Sequence, residues 1–543
     1  MRSHRTTLLI SFSLIIFFSG HLFLSQQAVS SQAIDAVKTD GGLVAGTQNG
    51  EIRVFKGIPF ASPPVGDMRW MPPRPAAKWS GVLKAEKYGP MCMQVPRADR
   101  TGGLNEISED CLSINLWTPA KSNNGKLPVM VWIYGGAFIQ GSASFPFYDG
   151  AALARQGVVL VTFNYRVGDF GFFAHPALSK QNPEMPLANY GLMDQIAALK
   201  WVKQNISAFG GDPSNVTIFG ESAGGSSVNY LMLSPEAKGL FHKAISESGG
   251  GMQAPRHISE RRGNQPSQLE IGEAIAADLG ADKAADPIAE LRKIPAKDFM
   301  DKLAAARRVR NESRAIGGSA PVIDGRIVTD EPGALFEQGR QHAVPYLVGA
   351  NSYEASLMTT FGITTDAVFG LLGKDADKAQ DVYKSELERS RDYGAAMMWA
   401  DSAFVAPARF LAGLVKKAGQ PAWLYHFSYV TESQRGRMPG AGHGADVLYV
   451  FNSFKLPAYA AIASEADRKM ADTVGSYWVQ FAKTGNPNGG GRPEWPAYDR
   501  STDRLLELGT EIKVRENLRK PQLDFHEARY QTRRASMKKQ TDK

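Results

Sequence analysis

Ser222 lies in the run Val216-Thr217-Ile218-Phe219-Gly220-Glu221-Ser222-Ala223-Gly224, where a hydroxyl, small neighbours and a strand-to-helix transition coincide. The β-branched and apolar residues 216–219 read as a strand, and the residues after Gly224 are compatible with a helix. So sharp a turn forces its central residue into a strained backbone conformation, and side chains at 220 and 224 would collide there. The strain lifts the serine Oγ clear of the turn, and the N–H of Ala223, at the start of the helix, is ready to bind an anion. The chemistry this arrangement serves is attack by a hydroxyl on a carbonyl carbon. The bare G-x-S-x-G string carries little weight, because 54 glycines in 543 residues make about 0.4 chance matches expected. The flanking strand and helix supply the weight, and a base, an acid and an oxyanion site must be found elsewhere.

A serine at such a turn needs its partners in the chain order Ser, then Asp or Glu, then His. Six histidines follow Ser222: His242, His257, His342, His426, His443 and His526. His426 falls within an alternating strand-like segment from Trp423 to Val430, where a packed imidazole is expected, and His526 precedes a basic tail. His443 sits in Gly440-Ala441-Gly442-His443-Gly444, a small-residue loop after that strand and expected to be mobile, from which a base can reach the serine. For the acid, the apolar run from Tyr346 leads into a turn that ends at Glu354. A carboxylate there can accept the His443 Nδ1–H, set the tautomer and stabilise the imidazolium. Asp324 and Asp446 compete for that role. Oxyanion donors are expected from Trp132-Ile133-Tyr134-Gly135-Gly136-Ala137-Phe138, a strand that ends in residues too small to obstruct a substrate oxygen.

The elements that must position these groups follow from hydrophobic patterning. Near-continuous apolar runs at Leu127–Tyr134, Gly157–Asn164, Val216–Phe219, Ala244–Ser246 and Tyr346–Val348 mark strands covered on both faces, as in a mainly parallel sheet. Leu192, Ile196, Leu199, Val202 and Ile206 form one apolar helical stripe, closed by Gly210-Gly211, that delivers the chain to the strand before Ser222. Residues 265–310 and 365–420 read as inserted amphipathic helices above the sheet's carboxyl edge, where pockets form. Leu43–Thr47 and Ile52–Ile58 flank Asn49-Gly50 as a hairpin. No linker or internal repeat divides the chain, so residues 34–525 are expected to form a single α/β domain, with 526–543 a basic, solvated and disordered tail.

Arg2 and Arg5 precede the apolar run Leu8–Phe18, and small residues follow at Ala28-Val29-Ser30 and Ser31-Gln32-Ala33. Residues 1–33 therefore read as a secretory signal peptide, and the mature protein as exported, periplasmic or secreted. Ser11, Ser13, Ser19, Gly20 and His21 interrupt the apolar stretch and argue against a retained anchor. No other segment approaches the ~20 apolar residues that span a bilayer. Cys92 and Cys111 are the only cysteines, and in an exported protein an even, minimal count favours a disulfide over two buried thiols. Of the net charge of +8, two positive charges leave with the leader and four lie in the tail. The body is close to neutral, which argues against a nucleic-acid partner.

Taken together, these residues resemble the type-B carboxylesterase family. The resemblance runs from about Gly41 to Tyr498 and includes Gly57-Ile58-Pro59-Phe60-Ala61 with Pro63-Pro64-Val65-Gly66, Glu109-Asp110-Cys111-Leu112-Ser113-Ile114-Asn115, Asn164-Tyr165-Arg166 and Phe209-Gly210-Gly211-Asp212-Pro213. It implies an α/β-hydrolase fold with a large, mostly parallel sheet, Ser222 as nucleophile, Glu354 as acid and His443 as base. It further implies oxyanion N–H groups from Gly136, Ala137 and Ala223, a Cys92–Cys111 bridge, and buried ion pairs Arg69–Glu109 and Arg166–Asp194. Cholinesterases of the family carry a tryptophan within the first disulfide loop; no aromatic residue lies between Cys92 and Cys111 here, so choline esters are not the expected substrates. The function expected is hydrolysis of small carboxylic esters through an acyl-enzyme, with no cofactor and no metal. The same triad could attack amides or carbamates, and adhesion proteins of the family have lost the nucleophile, whereas this chain keeps all three positions. The sequence is silent on acyl and alcohol preference and on oligomeric state.

Overall fold

The computed structural model describes residues 32–33, 35–96, 106–181, 188–309 and 320–541. Residues 1–33, expected to be a signal peptide, lie outside the described residues except for Gln32 and Ala33. Twelve strands hydrogen-bond into one sheet. The first six are β1 (Gln32–Ala33), β2 (Thr47–Asn49), β3 (Ile52–Pro59), β4 (Ser113–Thr118), β5 (Leu127–Ile133) and β6 (Val159–Phe163). The rest are β7 (Gly211–Glu221), β8 (Lys243–Glu247), β9 (Tyr346–Asn351), β10 (Ala422–Phe427), β11 (Arg504–Leu508) and β12 (Ile512–Glu516). Their spatial order is β1-β2-β3-β4-β6-β5-β7-β8-β9-β10-β11-β12. From β6 to β11 every neighbouring pair is parallel, and the pairs at both margins are antiparallel.

The runs that read as doubly covered strands are buried along nearly their whole length, Val129–Ile133, Val159–Phe163 and Tyr346–Asn351 among them. The apolar stripe at residues 192–206 becomes helix α1 (Tyr190–Asn205), which ends in a left-handed Gly210 before β7. The order reversal at β5 has a functional consequence. The chain passes from β5 to β6 on one side, then crosses to β7 on the other, so the segments after β5 and β7 emerge side by side at the carboxyl edge. The register pairs Ile133 with Gly220, which brings the glycines after β5 against the Ser222 turn.

Two further expectations differ from the structure in detail. The hairpin around Asn49-Gly50 pairs β2 with β3, but Leu43–Ala45 leaves it to join a small separate sheet with Val37–Lys38 and Val82–Lys84. The tail expected to be disordered forms a terminal helix, Lys520–Thr541. Three of its arginines are paired: Arg529 meets Asp375, and Arg533 and Arg534 meet Glu331. Buried Arg409 reaches back to Asp503, Asp524 and Glu527, and the Tyr530 ring packs on Phe410. His526, placed at the margin of that tail, is buried against the Tyr383 hydroxyl at 2.8 Å.

Cys92 and Cys111 are bonded, with Cα atoms 5.0 Å apart. The Arg166 guanidinium grips Asp194 of α1 through two hydrogen bonds of 2.7 and 2.8 Å, and Arg69 grips Glu109 at 2.6 and 2.7 Å. Arg166 and Asp194 are both buried, so removing either partner would strand a charge at a cost of about 3–5 kcal/mol.

Candidate active site

Ser222 bridges the end of β7 and helix α2 (Ala223–Leu233), with φ 59° and ψ −120°. A non-glycine residue keeps that conformation only where its surroundings enforce it. Here the Ser222 N–H donates to the Glu247 carbonyl at 2.8 Å, and the Ser222 carbonyl accepts from the Ser226 N–H at 2.8 Å. The two flanking glycines are required by contact with β5: a Cβ on Gly220 or Gly224 would lie 2.5 or 1.9 Å from the Ile133 carbonyl oxygen.

The loop carrying His443 was expected to be mobile, yet it is bonded to the turn that follows β9. The Tyr353 N–H donates to the Ala441 carbonyl at 2.8 Å, the Ala441 N–H to Ser352 Oγ at 2.9 Å, and the His443 N–H to Ser356 Oγ at 2.8 Å. That same turn carries Glu354. The acid and the imidazole therefore share one hydrogen-bonded frame, and Glu354 Oε2 contacts His443 Nδ1. The other carboxylate oxygen accepts from the Asn351 N–H at 2.7 Å and from Ser248 Oγ at 2.5 Å. The competing carboxylates are occupied elsewhere. Asp446 accepts from Asn351 Nδ2 and the Tyr425 hydroxyl, each at 3.0 Å, and Asp324 accepts from Asn189 and the N–H groups of residues 326–328.

His443 Nε2 lies 3.0 Å from Glu221 Oε1, without the alignment of a hydrogen bond and with no other partner among the described residues. Burial pushes this imidazole down, but the Glu221 and Glu354 carboxylates, with Asp446 behind them, outweigh it and lift it to about 9. The contrast with His426 is instructive: that ring, buried in β10 as expected, is driven by desolvation to about 4. Glu221 was overlooked in the sequence although it stands next to Ser222, because its side-chain direction depends on the β7 register. The Phe404 ring, 4.8 Å from the His443 ring, was also missed. It projects from a single π-helical turn, Asp401–Val405, whose Asp401 is held by Arg519 and the Tyr383 hydroxyl. Such turns are frequent at functional sites.

Gly136, Ala137, Glu221, Ser222 and His443 line one cavity of about 770 Å³, a volume suited to a small organic molecule. Its other walls include Phe145, Phe170, Leu303 and Leu448. A Cβ on Gly135 would come within 2.9 Å of Ser222 Cβ, so this loop passes directly over the turn. Gly136 and Ala137 have φ of 121° and 56°, and their N–H groups have no backbone partner among the described residues. Ala223 opens α2. A second hollow of about 410 Å³ between Lys38 and Ala208 contains no histidine, cysteine or glutamate.

A strained serine after β7, an imidazole after β10 and a carboxylate after β9, on a mostly parallel sheet with an order reversal at β5, define an α/β-hydrolase. The sequence matches the carboxylesterase family over residues 33–526. It is 36% identical over 492 residues to the fumonisin B1 esterase of Sphingopyxis macrogoltabida, covering 88% of this chain and 87% of that one. It is 37% identical over 493 residues to the para-nitrobenzyl esterase of Bacillus subtilis strain 168, covering 88% and 95%. A solved PNB esterase superposes with a TM-score of 0.76 at 35% identity, over 90% of this chain and 99% of that chain. A Geobacillus stearothermophilus carboxylesterase gives 0.78 at 32% identity, with the same coverage. The chain belongs to the carboxylesterase family and is a serine hydrolase of carboxylic esters. Among the described residues, no helix is long and apolar enough to cross a membrane.

Proposed function

We propose that Ser222 is the nucleophile, His443 the general base and Glu354 the orienting acid, with the N–H groups of Gly136, Ala137 and Ala223 receiving the oxyanion. The observation that carries this reading is the Glu354–His443 Nδ1 contact, formed on the wall of the cavity that Ser222 also lines. With Nδ1–H directed at Glu354, Nε2 is the nitrogen left to take the Ser222 proton as Oγ attacks the ester carbonyl. The carbonyl oxygen becomes an alkoxide that the N–H groups of Gly136, Ala137 and Ala223 receive; backbone donors fixed by the fold need little reorganisation as charge develops. The imidazolium then protonates the departing alcohol. Water, deprotonated by the same Nε2, attacks the acyl-enzyme; as the bond from the acyl carbon to Ser222 Oγ breaks, the imidazolium returns its proton to Oγ and the acid is released.

The base works only when neutral, so activity rises with pH through its ionisation. The ascending limb of kcat/KM is expected above the ordinary imidazole value of 6.5 and toward the about 9 set by the neighbouring carboxylates. Replacing Glu221 by Gln removes the first of them, and the limb is expected to move down by about one unit. Profiles that coincide in the two proteins, with a midpoint at or below 6.5, would refute the roles given to His443 and Glu221.

Residues 1–33 are proposed to be removed on export, the leader pattern being supported by the Cys92–Cys111 bridge, a bond that persists in oxidising compartments. Intact mass and N-terminal sequencing of protein recovered outside the cytoplasm should give a mature start near residues 30–34; recovery with Met1 or Arg2 retained would count against export.

A further inference from the structure

Helix α3 (Ala296–Val309) forms one wall of the Ser222 cavity. Met300, Leu303, Ala304, Arg307 and Arg308 line it, the i, i+3, i+4, i+7, i+8 spacing of a single helical face. The helix is fixed in place from behind: buried Phe299 packs on Trp70 and Phe170 with ring centroids 5.6 and 5.5 Å apart. The apolar part of this face comes first along the helix, and its last turn brings two cations to the cavity.

Among the described residues, the carboxylate, guanidinium and imidazole groups that line the cavity are Asp169, Glu221, Arg307, Arg308 and His443, and all but Arg308 lie against another such group. Arg307 grips Asp169 through two hydrogen bonds of 2.9 and 3.0 Å. Glu221 faces the His443 imidazole at 3.0 Å. Arg308 remains: exposed at the cavity, it has neither an ion pair nor a hydrogen bond among the described residues. Met300 and Arg308 are eight positions apart, about 12 Å along a helix, so they mark opposite ends of this wall. A guanidinium without a partner beside low-dielectric walls attracts anions and pairs bidentately with carboxylates.

We infer that the site is built for esters whose acyl or alcohol portion carries a carboxylate in addition to the scissile ester, and that Arg308 receives it. Arg307 has a different part: tied to Asp169, it anchors the helix and leaves its neighbour unneutralised. The inference rests on the ester-hydrolase reading and adds a substrate class to it.

The test compares chain-matched esters, one anionic and one neutral. On the acyl side the pair is mono-4-nitrophenyl adipate and 4-nitrophenyl hexanoate. On the alcohol side it is the butyrate ester of 6-hydroxyhexanoate and hexyl butyrate. The readout is the anionic-to-neutral ratio of kcat/KM for wild type, Arg308→Gln and, as a control, Lys302→Ala. Lys302 is exposed on the same helix but does not line the cavity. Arg308→Gln is expected to lower the ratio roughly 5- to 10-fold in at least one pair, mainly through KM, as befits one partly solvated charge-assisted hydrogen bond. Raising salt from 0.05 to 0.5 M should lower the wild-type ratio in that pair. Lys302→Ala should leave the ratio within twofold. Ratios unchanged by Arg308→Gln in both pairs, or lowered equally by Lys302→Ala, overturn the inference. Fluorophosphonate labelling of each variant keeps that outcome distinct from failure of the esterase reading, because an intact nucleophile still labels.

Discussion

Replacing Ser222 by alanine is expected to abolish covalent labelling by fluorophosphonates and to lower kcat for an aryl ester by about 10⁵- to 10⁶-fold. The size follows from the cooperative work of the site. Without the hydroxyl, His443 has no proton to take, the acyl-enzyme cannot form, and only the cavity and the N–H groups remain to assist direct attack by water. Folding should be spared, since the features that hold the turn are the close contacts of Gly220 and Gly224 with β5 and the Ser222 backbone bonds to Glu247 and Ser226, all of which alanine retains. The φ of 59° at this position is no easier for alanine than for serine, so the melting temperature serves as the control. A loss of less than 100-fold in a protein that melts normally would transfer the nucleophile to another residue.

Replacing Glu354 by glutamine comes next in expected effect, about 10³- to 10⁴-fold in kcat. The carboxylate is held on both sides. Oε1 accepts from the Asn351 N–H and Ser248 Oγ, and Oε2 meets His443 Nδ1. A glutamine that keeps its carbonyl oxygen on the two donors must turn its NH2 toward Nδ1. That nitrogen then has to accept, the proton moves to Nε2, and the imidazole presents a donor where Ser222 needs an acceptor. The fold should tolerate an isosteric change whose hydrogen bonds are all satisfied. Normal melting with a slow rate, together with fluorophosphonate labelling slowed by a similar factor, is the expected pattern. A loss below 10-fold would mean that Asp446, which lies in the same buried group but bonds Asn351 and Tyr425, or another carboxylate orients the ring.

The elements that position the site were legible because their signals are local. Strands buried on both faces must be apolar along their length, and β5, β6 and β9 are. A sharp turn under a packed neighbouring strand must be glycine, and both glycines flanking Ser222 meet the Ile133 carbonyl. The small-residue loop at 440–444 marked where an imidazole could leave the sheet edge. What misled was charge. The basic residues after His526 resemble a solvated tail as a string, yet Arg529, Arg533 and Arg534 meet Asp375 and Glu331 from segments roughly 150 to 200 positions earlier. Counting net charge along a chain cannot reveal pairing across it.

The chain's order of residues by itself determined the α/β architecture and the strained serine turn, and it favoured His443 among six histidines as the expected base and one of three carboxylates as the expected acid, since each follows from propensity, steric demand or order along the chain. Only the tertiary structure decided which carboxylate meets His443, that the His443 loop is tied to the Glu354 turn, that Glu221 raises the imidazole, and that Arg308 lines the cavity without a partner among the described residues. The physical reason is one of range. Backbone sterics and hydrophobic periodicity act between near neighbours in sequence, whereas Coulomb and hydrogen-bond partners are chosen by distances in space.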